Sequence, residues 1–367
     1  MGSALRLAAF ALLAWAPGAR AQDAFFKEPA QTWWRPTWEL EARTDRTTFS
    51  DSRPDLDRQN VRLRLRWSLG EDGGWWGFGF GSAHRAGSDG NRFNLPRFDN
   101  ESSNGNSLDL AELRLQGSWE RGGLSMRGGL VENDLLSAES LWDPDLRVIG
   151  GGARAFLRTP GGMVEEAGIR VVAGDARLIA GGRVTLRAVQ AVLRLQTGPI
   201  AWTAFGGPWN LQARQEDALN FRRQNPVSAP GNPYYVPGGY ADPEFRFTVV
   251  GASIQFLGIV PVELKAIKHS NLDYPDWGGE FQAWVGSRTR RWWPQLGYIR
   301  QRLDPAGALA SVNGDLWWLH ANGDGQRYVL ALGLPARWSA SWTYVEQSRR
   351  GGTLRFTRSI IGVQKRF

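Results

Sequence analysis

The chain has 367 residues, a formal net charge of +8, 19 tryptophans, 45 glycines and no cysteine. The lack of cysteine excludes disulfide bonds, so a protein of this size must be held together by other means. Beyond the N-terminus no run of about 18 apolar residues occurs, which excludes a transmembrane helix.

The N-terminus has the pattern of an export signal. Arg6 precedes a short apolar run, residues 7–16, and Ala19-Arg20-Ala21 forms a small-residue cleavage site. The sequence therefore predicts a signal peptide over residues 1–21 and a short periplasmic lead-in over residues 22–32. An exported chain rarely meets nucleic acid, so we expect no nucleic-acid partner. The basic residues are interpreted as lining a passage for anions, or as lying on solvated loops.

Apolar residues and arginines alternate at every position of the stretch from Val61 to Trp67. Val61, Leu63, Leu65 and Trp67 take one face of a strand, and Arg62, Arg64 and Arg66 take the other. A membrane barrel suits both faces, because the apolar face meets lipid and the arginines meet water inside. A half-buried strand of a soluble antiparallel sheet also alternates and is the other interpretation.

The rest of the chain favours the barrel. Segments of about ten residues with period two recur from residue 33 to the end. Sixteen are found: 33–43, 60–69, 75–85, 107–119, a fifth around Leu124, Met126 and Leu130, 146–157, 165–173, 182–196, 200–205, 244–256, an eleventh around 262–266, 279–287, 295–303, 326–334, 338–347 and 353–367. Long polar connections alternate with short ones, as in membrane barrels. The prediction is an all-β transmembrane antiparallel β-barrel of about 16 strands (14 or 18 as alternatives), over residues 33–367, with short periplasmic turns and long extracellular loops.

Alternation also predicts which charged side chains line the pore. On the fourth segment Glu112 and Arg114 oppose Ala111 and Leu113, and on the eleventh Glu263 and Lys265 oppose apolar neighbours. The full predicted set is Arg62, Arg64, Arg66, Glu112, Arg114, Arg127, Arg154, Arg170, Glu263 and Lys265.

Some features depart from the simple pattern. The apolar face switches within residues 182–196 and again within the last strand, and both switches are interpreted as β-bulges. The segment 316–319 is placed in an external loop. The long connection 215–243 carries Arg222, Arg223, Tyr234, Tyr235 and Tyr240, and is predicted either to narrow the channel or to bind a glycan. The terminal Phe367 resembles the signal read by the barrel-insertion machinery.

Several stretches resemble the porin family of Gram-negative outer membranes. They are residues 123–130, 137–146, 260–266 and 289–298, the last with the pair Trp292-Trp293. The resemblance implies a channel in outer-membrane lipid and lipopolysaccharide, with small hydrophilic solutes and no chemistry. It gives no residue-level site, and the oligomeric state, monomer or trimer, stays open.

The predicted function is therefore passive diffusion of small hydrophilic solutes with a mild anion preference. A glycan-export or surface-binding barrel is the alternative. A hydrolase would need a base such as His84, His269 or His320, and none lies in a nucleophile motif. Residues 99–101 and 322–325 are oxygen-rich but lack full calcium-loop spacing, so neither a metal nor a cofactor is expected.

Overall fold

A computed structural model describes residues 36–51, 55–69, 76–89, 105–144, 146–177, 183–213, 244–287, 289–310, 312, 317 and 319–366. The predicted signal peptide, the lead-in, Phe367 and the five residues singled out within 215–243 lie outside this part of the chain. No helix within these ranges is both long and apolar enough to cross a membrane.

The described residues form one closed antiparallel barrel of sixteen strands, which confirms the predicted fold class. Each strand pairs with its neighbours in sequence, and β1 pairs with β16 to close the sheet. The strands are β1 Thr37–Phe49, β2 Leu56–Leu69, β3 Trp76–Asp89, β4 Gly105–Trp119, β5 Gly122–Glu132, β6 Arg147–Leu157, β7 Val164–Arg177, β8 Arg183–Thr197, β9 Ile200–Ala213, β10 Glu244–Phe256, β11 Val262–Asn271, β12 Trp277–Gly286, β13 Pro294–Leu303, β14 Gly323–Gly333, β15 Trp338–Arg349 and β16 Arg355–Arg366. A single 3₁₀ turn, Pro335–Arg337, joins β14 to β15.

The two faces of the barrel wall differ in the way that the alternation predicts. Residues opposite each other on paired strands share a face, so Arg62, which pairs with Glu41, lies on the same side as that carboxylate. The other face exposes large apolar side chains around the whole barrel, among them Leu63, Leu113, Met126, Ile169, Trp202, Val250, Phe281, Leu296, Leu330 and Ile361. An apolar outer face of this kind suits contact with lipid.

The connections define two ends of the barrel. At the short-turn end, β4 and β5 are joined by Glu120 and Arg121 alone. At the long-loop end, residues 133–146 join β5 to β6, and residues 304–322 join β13 to β14. These two segments are named here the β5–β6 loop and the β13–β14 loop.

Both loops fold into the barrel. Leu135, Leu141 and Trp142 of the β5–β6 loop and Leu309 of the β13–β14 loop are buried. They pack in one apolar core against inward side chains of β5 to β11, among them Val131, Val148, Val172, Leu186, Trp209, Phe245, Phe247 and Ile267. The β5–β6 loop is therefore not the polar external connection that the general alternation of long and short connections predicts. Of the segment 316–319, Trp317 and Leu319 are described, and both lie between strands as predicted. Both are buried, so the expectation of an external loop is wrong for these two residues.

Two separate groups of buried apolar side chains inside the barrel explain the two switches of apolar face, which are not bulges. Val184 and Leu186 of β8 point inward into the core, whereas Leu193 points outward toward lipid. The pairing of β8 with β9 keeps one register from end to end. The register shift in the pairing of β8 with β7 has its extra residue on β7, between Val164 and Glu166. On β16, Phe356 is likewise buried inside, Ile361 lies outside, and both ladders of that strand run without a shift. Apolar residues are needed on both faces where loops fill the interior.

Candidate functional site

The interior of the barrel carries ion pairs on neighbouring strands β1 and β2. Arg62 Nη2 lies 2.5 Å from Glu41 Oε2 and 3.9 Å from Glu39 Oε1. Arg64 Nη1 lies 3.8 Å from the same Glu39 oxygen. Arg66 Nη2 reaches further, to Glu132 Oε1 at the end of β5, at 2.7 Å. Arg62, Arg64 and Arg66 therefore share one interior wall with two carboxylates, those of Glu39 and Glu41.

Interior charges continue along β4 and β5. Arg114 and Arg127 oppose each other across the β4–β5 ladder. Arg127 Nη2 lies 2.8 Å from Asp134 Oδ1, at the root of the β5–β6 loop. Arg114 Nη2 lies 2.5 Å from Glu112 Oε1, and its own side chain is 49% exposed while Glu112 is buried. Arg114 therefore presents its charge to the open part of the interior.

One buried carboxylate serves three arginines. Glu166 of β7 lies 2.9 Å from Arg154 Nη2, 3.0 Å from Arg170 Nη2 and 3.6 Å from Arg194 Nε. Arg154 and Arg194 remain about one-third exposed, whereas Glu166 is 3% exposed. Glu166 is thus shared by three cations, one on each of β6, β7 and β8.

The β5–β6 loop begins its path across the interior on the β7–β8 side. Arg170 Nη1 donates to the Asp134 carbonyl at 2.9 Å. The Gln190 side chain clamps Leu136 from both sides: Leu136 N donates to Gln190 Oε1 at 2.9 Å, and Gln190 Nε2 donates to Leu136 O at 2.8 Å. These bonds hold the loop at the middle of the wall, because Arg170 and Gln190 lie near the centres of their strands.

The loop is then fixed to the opposite side. Lys265 Nζ of β11 lies 3.5 Å from the Ser137 carbonyl. Arg327 of β14 donates two hydrogen bonds to Glu139, of 2.5 Å and 2.9 Å. Asp143 N donates to Val312 O at 2.6 Å, which joins the two inner loops. The β5–β6 loop therefore crosses the interior between β7–β8 and β11–β14, and it narrows the space inside the barrel.

His269 joins the two loops to β11. Its Nδ1 lies 2.7 Å from Gly307 O and its Nε2 lies 3.0 Å from Ser140 Oγ. A carbonyl only accepts, so Nδ1 carries the proton, and Nε2 of the neutral ring accepts from the Ser140 hydroxyl. Both side chains are fully buried, and this Ser–His pair holds the two loops against β11. His320 is buried in the β13–β14 loop, and the side chain of His84 is not among those described.

The structure places the ten predicted pore residues on the interior face by register. Arg62, Arg64 and Arg66 gather at β1 and β2, and Arg154 and Arg170 gather at Glu166. Glu263 shares the inner face of β11 with Lys265. Within the described ranges, no group of three or more His, Cys, Asp or Glu side chains could hold a metal ion.

Sequence reasoning missed the residues that position the β5–β6 loop, namely Asp134, Glu139, Ser140, Gln190, His269 and Arg327. The apolar composition of the β5–β6 loop could have indicated from the sequence that it is buried. Leu135, Leu136, Leu141 and Trp142 are too apolar for a segment that lies in water, and their clustering between two strands indicates burial.

The fold and the site together define a class of protein. A closed sixteen-stranded antiparallel barrel is the fold of solved outer-membrane porins. Two solved structures of outer-membrane porins share the fold. Pseudomonas putida OprB, solved at high pH, aligns with a TM-score of 0.58 and 11% identity, over 91% of this chain and 94% of that one. Salmonella typhi OmpF, solved in complex with daunomycin, aligns with a TM-score of 0.53 and 11% identity, over 91% of this chain and 97% of that one. No protein-family model and no curated protein matches the sequence.

Proposed function

We propose that the protein is an outer-membrane channel through which small hydrophilic solutes diffuse, with a mild preference for anions. The apolar core fills the interior beside β5 to β11 at the long-loop end. The passage then runs along the charged wall of β1, β2 and β4, where the solute meets Arg62, Arg66 and Arg114. Rings and clusters of charge bias which ions enter a pore.

The observation that carries the anion preference is the sharing of carboxylates. Glu166 lies within salt-bridge distance of three arginines. Glu39 likewise lies near Arg62, Arg64 and Arg366. In each cluster one carboxylate is shared by three cations, and we infer from this sharing that the passage is positive. A positive potential in a confined passage raises the local concentration of anions.

The proposal includes export by the predicted signal peptide, insertion through Phe367 and no catalysis. A barrel for glycan export or surface binding would depend on Arg222, Arg223, Tyr234, Tyr235 and Tyr240, which lie outside the described residues. Glycan export or surface binding needs no ion conductance, so a conductance measurement distinguishes it from the diffusion channel.

The test is the reversal potential of the purified protein in a planar bilayer under a potassium chloride gradient. We expect the sign of an anion-selective channel. The double variant Arg154→Gln/Arg194→Gln should move the potential toward the cation side. Arg187→Gln is the matched control, because Arg187 lies on the outer face of β8, the strand that carries Arg194 on its inner face. Cation selectivity of the unchanged protein would contradict the anion preference, and a lack of conductance would contradict the channel.

A further inference from the structure

A group of cations lies on the outer face of the barrel, near the long-loop end. Lys268 of β11 and Arg302 of β13 both pair with Gly279 of β12, so the three residues form one row across three strands. Neighbouring strands lie about 4.8 Å apart, so the two cationic residues are separated by roughly 10 Å of backbone. Gly279 has no side chain, and the row therefore has a gap at its centre.

Trp277 covers this gap. Its ring centroid lies 5.4 Å from Lys268 Nζ and 4.9 Å from Arg302 Cζ. A Cβ added to Gly279 would lie 3.4 Å from the ring. The indole thus lies beside both cations and makes a cation–π contact with each.

The cations of this group lack carboxylate partners among the described residues. Lys268, Arg300 and Arg302 are all exposed, and none forms an ion pair within that part of the chain. Asp324 is the register partner of Arg302, but its carboxylate lies 3.8 Å from Arg350 instead. On the inner wall, by contrast, the arginines of β2 and β5 to β8 lie against carboxylates.

The position of the group relates it to the lipid. Arg300 pairs with Phe281, which is 43% exposed on the apolar outer face. Lys268, Arg302 and Trp277 lie one step further toward the long-loop end. The group therefore marks the edge of the apolar surface, where tryptophan and cations of membrane proteins meet lipid headgroups.

We propose that Lys268, Arg300, Arg302 and Trp277 form a binding site for the phosphate group of an outer-leaflet glycolipid. The site rests on the proposed function, because it needs the barrel in the outer membrane with the long-loop end outward. The two cations on either side of Gly279 donate to the phosphate oxygens, and Trp277 packs against the sugar or the first methylenes of the lipid. Arginine and lysine are the side chains that bind phosphate in this way.

The experiment measures binding of lipid A bisphosphate to the purified full chain in a zwitterionic detergent by native mass spectrometry. Dephosphorylated lipid A and inorganic phosphate are the comparison ligands. The double variant Lys268→Gln/Arg302→Gln should bind the bisphosphate about tenfold more weakly, since two charge-assisted contacts are lost. The control Arg187→Gln/Arg355→Gln removes two outward cations elsewhere on the barrel and should bind as the unchanged protein does.

Equal binding by the Lys268/Arg302 variant, equal binding of dephosphorylated lipid A, or equally tight binding of inorganic phosphate would overturn the proposal. Conductance of the same samples separates this site from the channel. The variant should conduct normally, because its changes lie on the outer face. Phosphate-dependent lipid binding by a barrel that does not conduct would contradict the channel and support the lipid site.

Discussion

Glu139 and Arg327 join the β5–β6 loop to the far wall of the barrel through two parallel hydrogen bonds of 2.5 Å and 2.9 Å. Arg327 is 3% exposed, and its guanidinium also lies 5.3 Å from the ring centroid of Trp317. The two partners are 188 residues apart in sequence. The position of the β5–β6 loop therefore depends on a contact between residues that are far apart in the sequence.

Loss of this pair should free the loop. We expect Glu139→Gln to remove the charge-assisted hydrogen bonds to the buried Arg327 and to lower stability by about 1–3 kcal/mol. Single-channel recordings should show larger current fluctuations, because the loop moves between positions. Glu165→Gln is the control, since Glu165 is an exposed carboxylate at the short-turn end of β7. Recordings of Glu139→Gln as quiet as those of the control would show that the pair does not fix the loop.

Gly278 makes room for His269. A Cβ at position 278 would lie 2.1 Å from His269 Cε1 and 2.6 Å from Leu303 Cδ2. Gly278→Ala should displace the imidazole, break its bond to Ser140 and cost about 1–3 kcal/mol through overpacking. The thermal midpoint in detergent is the measurement. Gly117→Ala is the control, because an added Cβ there meets nothing within 4 Å. Equal midpoints for the two variants would contradict the prediction.

Trp142 holds the β5–β6 loop in the interior core. It is fully buried, and its ring centroid lies 6.4 Å from that of Trp209. Trp142→Ala should cost about 3–5 kcal/mol and let larger sugars pass, because the loop loses its main apolar contact. Liposome swelling with sugars of increasing size measures the change. Trp119→Ala alters an exposed outer-face tryptophan instead, and its size limit should stay at that of the unchanged protein. An equal size limit for sugars in Trp142→Ala and Trp119→Ala would contradict the prediction.

Asp273, between β11 and β12, ties that connection to β10. Hydrogen bonds from the Arg246 side chain hold the pKa of Asp273 below its ordinary value, against the opposing effect of burial. The Asp273 carboxylate accepts from Arg246 Nε at 2.9 Å and from Arg246 N at 3.1 Å. Because the folded pKa is depressed, the tie is complete above the ordinary pKa of about 3.9 and is lost as the pH falls through the folded value.

Amide hydrogen exchange at Arg246 and Leu272 should therefore become faster on acidification below that ordinary value, after correction for intrinsic rates. Leu272 N donates to Arg246 O at 2.8 Å, so both amides report on the same tie. Asp273→Asn should exchange at one corrected rate throughout the range. Acid-dependent exchange that persists in Asp273→Asn would assign the effect to another group.

The sequence by itself determined the wall. Each strand needs only a local alternation, as in Val61 to Trp67, to define a lipid face and an interior face, and the spacing of turn residues then predicts the sixteen strands. The contents of the interior were decided by tertiary structure. Leu135 and Trp142 lie inside because Val184, Leu186 and Trp209 offer them an apolar surface from strands far along the chain. A period-two pattern states which side chains share a face, but it does not state which half of that face a distant loop will cover. The apolar inward residues of β8 were for that reason taken for a bulge, and the pairs Glu139–Arg327 and Ser140–His269 became visible only once the barrel had closed.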